Sequence, residues 1–138
     1  MTSDVRESLF QALAQLSGLY PEMRFGQLIE FACALAGVEA PADLDEVEDE
    51  VLMTASRKHV RKRSRQLGIQ KRGRATGLGA KRAELLEVLR ELADCQPHRR
   101  FGHLVTRIVE LAQVNLYDLE DEQLMHAVRT HRELKVTA

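Results

Sequence analysis

Two acidic triplets, Glu48-Asp49-Glu50 and Glu120-Asp121-Glu122, and two Arg-Phe-Gly motifs, Arg24-Phe25-Gly26 and Arg100-Phe101-Gly102, are the first residues whose types invite chemistry. Carboxylates beside an arginine can transfer protons, ligate a metal or bind a charged substrate. The spacing argues against the first two, because consecutive positions on a helix do not face one another. No Glu-x-x-His follows either triplet in the manner of a di-metal bundle. The histidines, His59, His98, His103, His126 and His131, form no H-E-x-x-H. The chain also lacks a Ser/His/Asp order, a Gly-rich phosphate loop and a CxxC. The reading is of a chain that is not an enzyme, with no cofactor and no metal site. Cys33 and Cys95 have no ligand spacing and read as small core residues in a reducing compartment.

A second kind of chemistry is purely electrostatic. Between Arg57 and Arg82 lie eleven Lys or Arg residues and no Asp or Glu, while the whole chain has a net charge of -1. Arg57, Lys58, Arg61, Lys62, Arg63, Arg65, Lys71, Arg72, Arg74, Lys81 and Arg82 are therefore the candidate contacts to nucleic acid or an acidic partner. No aromatic residue interrupts the segment, which argues against base stacking on single strands. The competing reading is that these cations finish a helix begun by acids, or neutralise acidic faces of their own chain.

The elements that carry these residues repeat. A shift of 76 superimposes Leu9 on Leu85, Leu13 on Leu89, Leu16 on Leu92, Pro21 on Pro97 and Arg24-Phe25-Gly26 on Arg100-Phe101-Gly102. A shift of 72 superimposes Glu48-Asp49-Glu50 on Glu120-Asp121-Glu122, Leu52-Met53 on Leu124-Met125 and His59 on His131. Self-similarity in this order reads as a tandem duplication. Within each copy the apolar residues recur at helical spacing in three segments. The expected fold is all-α: two three-helix units in a six-helix arrangement, joined by a basic linker. The units are placed at residues 1–66 and 81–138, with the Gly-containing linker at 67–80. A three-helix unit of this size is marginal alone, so the copies should dock through a pseudo-twofold face.

Local signals refine the picture. Pro21 and Pro97 are expected in the first turn of the second helix of each copy. Phe25 and Phe101 should anchor the core, and Gly26 and Gly102 should admit a close neighbour. Asp45 with Glu48 resembles a capping box for the third helix. Arg24 is expected to pair with Asp49 or Glu48, and Arg100 with Asp121 or Glu120, as partly buried forks inside each copy. His59 and His131 are placed near the ends of the third helices.

No stretch approaches the length of a membrane-spanning helix, and the N-terminus lacks the features of a signal peptide, so a cytoplasmic location is expected. On RFGQLIE followed by DEVEDEVLMTA, and RFGHLVT followed by YDLEDEQLMHA, the chain resembles a group of small bacterial proteins. These carry an Arg-Phe-Gly-Gln-Leu motif with a downstream Glu-Asp-Glu stretch and have no established activity. The second copy departs from the motif with His103 where the first has Gln27. The resemblance implies a compact helical module and carries over no site residue. The leading functional expectation is an interaction module that binds a protein partner. The alternative is nucleic-acid binding through residues 57–82.

Overall fold

The computed structural model describes residues 2–39, 43–67, 80–96 and 98–137. Among the described residues there are six α-helices and one 3-10 turn, and no strand. The helices are α1 (Thr2–Leu19), α2 (Phe25–Leu35), α3 (Asp49–Leu67), α4 (Ala80–Cys95), α5 (Phe101–Ala112) and α6 (Asp121–Thr137), and the 3-10 turn is Leu44–Glu46. The fold class is thus all-helical, as the periodicity indicates. The expected glycine linker, with Gly68, Gly73, Gly77 and Gly79, lies outside the described residues, as do Lys71, Arg72 and Arg74. Leu67 and Ala80, placed in the linker by sequence, instead end α3 and open α4.

Helix ends follow local chemistry. Pro21 does not start α2; it occupies the second position of a turn closed by Met23 N–H on Tyr20 C=O at 3.1 Å. That position suits the fixed proline φ equally well. α2 begins four residues later, where Gln27 Oε1 accepts the Arg24 N–H at 3.0 Å. It ends in a Schellman-type turn, with Val38 N–H on Cys33 C=O at 2.8 Å and Gly37 at φ 77°. Gln113 stands at the matching end of α5 with φ 59°. Asp45 does not cap α3, because it sits in the 3-10 turn and its carboxylate meets His103 Nδ1.

The leucines of α1 and α4, namely Leu9, Leu13, Leu16, Leu85, Leu89 and Leu92, are all buried, as their spacing requires. Phe25 and Phe101 are fully enclosed. α1 packs on α3 and α4 on α6, so the first and last helices of each half lie together. α5, by contrast, rests on the 3-10 turn of the first half as well as on α6. Phe10 of α1 meets Phe101 of α5 edge-on at 5.2 Å between ring centroids. Buried side chains from both halves form one contiguous core.

The glycines of the repeated motif set the distance between the halves. A Cβ on Gly26 would lie 2.0 Å from the Leu116 carbonyl oxygen, and a Cβ on Gly102 would lie 2.0 Å from that of Leu44. The close neighbour is therefore a connecting turn of the other half rather than a passing helix. Alanine normally favours a helix interior over glycine by about 1 kcal/mol. Here the sign reverses: Gly26→Ala and Gly102→Ala should each destabilise the protein by about 1–3 kcal/mol, because backbone must move to admit the methyl group. Urea denaturation read by circular dichroism checks this, with an exposed Ser→Ala substitution as the reference.

Candidate functional site

The acidic triplets and the Arg-Phe-Gly motifs do meet, but across the molecule. Asp49 Oδ1 accepts the Phe101 N–H at 2.7 Å, and Asp121 Oδ1 accepts the Phe25 N–H at 2.8 Å. Each aspartate, standing at the start of the third helix of one half, thereby caps the second helix of the other. A carboxylate there satisfies an orphan N–H and faces the positive end of the helix dipole.

The second oxygen of each aspartate belongs to an arginine, Arg6 or Arg82; the sequence singles out only Arg82, and for the nucleic-acid or acidic-partner surface. Asp49 Oδ2 takes Arg6 Nε at 3.2 Å and Nη2 at 3.1 Å. Asp121 Oδ2 takes Arg82 Nε at 2.7 Å. Arg6 then reaches the carbonyls of Ala93 at 2.9 Å, Gln96 at 3.4 Å and Arg99 in the second half. Arg82 reaches Ser17 Oγ at 3.0 Å and the Met23 carbonyl at 2.7 Å in the first. Arg6 and Arg82 are 76 positions apart, as are Ser17 and Ala93, and Met23 and Arg99. The two latches are the same arrangement built twice in opposite directions. Arg6 escaped the sequence reading because a single arginine in an amphipathic helix carries no local signal; its match to Arg82 under the 76-residue shift was the available one.

The expected intra-copy ion pairs are corrected accordingly. Arg24 faces Glu120 of the second half at 3.8 Å and donates to the Tyr117 carbonyl at 3.0 Å. Arg100 faces Glu48 of the first half at 3.1 Å. Both pairs are substantially exposed and contribute little in water. The physical reason is that the aspartates are already taken by Arg6, Arg82 and the helix N–H groups, which leaves the outer glutamates to Arg24 and Arg100. Arg82, expected in the nucleic-acid or acidic-partner surface, is withdrawn from it, with a side chain only 11% exposed in its pair with Asp121. Lys81 lies outside and faces Glu122 at 3.6 Å.

The rest of the basic segment that can be placed lies on the second half of α3. Arg57, Lys58, Arg61, Lys62 and Arg65 are exposed, while Arg63 is half-buried and donates to Gln66 Oε1 at 3.3 Å. The exposed positions follow i, i+4, i+8 and i+1, i+5, so they form one stripe about 12 Å long on a single helix face. None of the five meets a carboxylate within salt-bridge distance among the described residues. Arg6, Arg24, Lys81, Arg82, Arg90, Arg100 and Arg129 all do.

Other reactive groups are committed to packing. Burial, reinforced by Glu30, pushes the Cys33 thiol up to about 11, which keeps it protonated and unreactive. Cys95, expected in the core, is exposed. His59 lies in the body of α3 rather than at its end, with Nε2 2.8 Å from the Tyr20 hydroxyl and its ring edge-on to Phe31. The side chain of His131 lies outside the described residues. No group of three or more His, Cys, Asp or Glu that could hold a metal occurs among the described residues, and no described helix is long and apolar enough to cross a membrane. No family model, curated protein or solved structure matches the chain.

Two outcomes follow from this division of the cations. Arg82→Met strands Asp121 in a half-enclosed site and should cost about 3 kcal/mol, whereas Arg61→Gln should change stability by no more than about 0.5 kcal/mol. Thermal melts of the two variants measure the contrast. The second outcome concerns pH. Burial and the cations Arg63 and Lys62 lower the His59 pKa, so the unfolded chain binds the proton more readily than the native state. The stabilisation from a neutral His59 is complete above about pH 6.5 and declines as pH falls through and below that value. His59→Gln should flatten the loss of stability between about pH 7.5 and 5.5, measured by urea midpoints, relative to the parent chain.

Proposed function

We propose that the chain is a non-enzymatic helical interaction module, a duplicated three-helix unit whose exposed cationic face on α3 binds the phosphate backbone of nucleic acid. The observation that carries this reading is the contrast in pairing. Most described cations outside α3 are held by carboxylates, and the five on its outer face are not. Self-neutralisation, the competing use for these charges, has no support at Arg57, Lys58, Arg61, Lys62 or Arg65. A regular helix presenting cations at i, i+4 spacing suits a continuous row of phosphates, and the lack of aromatics beside them favours duplex over single-stranded nucleic acid. Binding of this kind carries little base preference, because phosphate contacts position a protein without reading sequence.

A protein partner, the leading expectation from sequence, has one observation of its own. Leu111 is 40% exposed in a shallow groove of about 460 Å³ that is also lined by Ala112, Glu122, Gln123, His126, Ala127 and Thr130. The groove lies on α5 and α6, whereas the cationic stripe lies on α3, so the two readings concern different elements.

Fluorescence anisotropy with a short labelled duplex between about 50 and 200 mM salt tests the primary reading. Five phosphate contacts give a slope of log K against log[salt] of about -4.5, and Arg57→Gln/Arg61→Gln/Arg65→Gln should reduce it to about -2 without changing the thermal midpoint. Absence of binding at the lowest salt would remove nucleic acid as the partner.

A further inference from the structure

The latches have a property that does not depend on any nucleic-acid role. Apart from the Arg6–Asp49 and Arg82–Asp121 pairs, which stay within one half, their contacts cross from one half to the other, and each is answered at the equivalent position in the reverse direction. Asp49 caps α5 while Asp121 caps α2, and Arg6 bonds the Ala93 carbonyl near the end of α4 while Arg82 bonds the Ser17 hydroxyl near the end of α1. Gly26 receives the Leu116 carbonyl, and Gly102 receives that of Leu44. An interface in which residue i meets j and the equivalent of j meets the equivalent of i is isologous, the kind that closes symmetric dimers. Each half also has its own internal packing, α1 and α2 on α3, and α4 and α5 on α6. Only residues 68–79 link the two in sequence.

We infer that the latch faces also serve between molecules, so that the first half of one chain docks on the second half of another and the partner is a second copy of this chain. The contacts in such a pair are those already described, and they do not register whether residues 68–79 run to the same molecule. What favours the closed monomer is the high effective concentration that a short connection supplies, in the millimolar range. Exchange is therefore expected where chains open and re-close at high concentration, as in concentrated refolding, and closed dimers so formed should persist on dilution until the next opening.

Complementation between two full-length variants tests the inference. Gly26→Leu blocks the docking face of the first half and Gly102→Leu that of the second, so neither chain can close on itself. Each alone should lose helicity. Mixed at equal amounts, on the order of 100 μM, the intact second half of one and the intact first half of the other should dock. Part of the lost helicity should return, and light scattering should give the mass of a mixed dimer. If either variant keeps its helicity alone, the decisive measurement uses two parent chains with different affinity tags, mixed in urea and refolded together at high concentration. Co-purification of both tags, absent when the chains are mixed after refolding, is the expected result. Co-purification in neither case, or no recovery in the mixed variants, overturns the inference. A nucleic-acid titration of the monomer is unaffected by either outcome, so the two readings fail separately.

Discussion

A carboxylate with two oxygens in two different employments holds this molecule together. One oxygen of Asp49 or Asp121 ends the hydrogen-bond deficit at the start of a helix, and the other neutralises an arginine that is almost removed from water. Neither partner is stable there without it. A guanidinium enclosed among backbone carbonyls needs its counter-charge, and a buried helix start needs an acceptor. The carboxylate and the arginine come from one half and the helix start from the other, so the arrangement exists only once the halves have met. Docking and capping are one event.

That arrangement also sorts the charges of the chain. The first-turn aspartates are consumed inside, the flanking glutamates Glu48 and Glu120 serve exposed arginines, and Asp45 of the 3-10 turn meets His103 of α5 across the halves. Nothing in this allocation reaches the far end of α3, where the helix dipole turns negative and the cations gather. Acid at one end and base at the other is favourable for α3 as a helix. The same separation leaves a concentrated positive face that the fold does not use for its own stability.

The sequence was legible wherever the relevant pattern was periodic. The leucine spacing of α1 and α4, the core role of Phe25 and Phe101, and the need for glycine at Gly26 and Gly102 all follow from spacing and from the shifts of 76 and 72. What could not be read was the direction of pairing. Arg24 and Glu48 sit near enough in sequence to suggest a local pair, and nothing in one-dimensional order distinguishes a contact within a unit from the same contact between two equivalent units. Arg6 and Arg82 were hidden for a related reason, since burial of a lone arginine is decided by carbonyls brought in from a distance. Cys95 shows the converse: residue type suggests the core, while its place at the last turn of α4 leaves it in solvent.

The crossed latch also sets how local damage travels through the molecule. A change at Asp49 is felt first at Phe101, and a change at Leu116 first at Gly26, so damage in one half registers in its neighbour. The capping contacts that carry this coupling span 52 residues from Asp49 to Phe101 and 96 from Phe25 to Asp121. The aromatic group of Tyr20, Phe31 and His59 takes no part in this coupling, and the positions matching Tyr20 and Phe31 under the same shift hold Gln96 and Arg107. Damage to that group therefore stays within the first half, whereas damage to a latch is passed across the molecule.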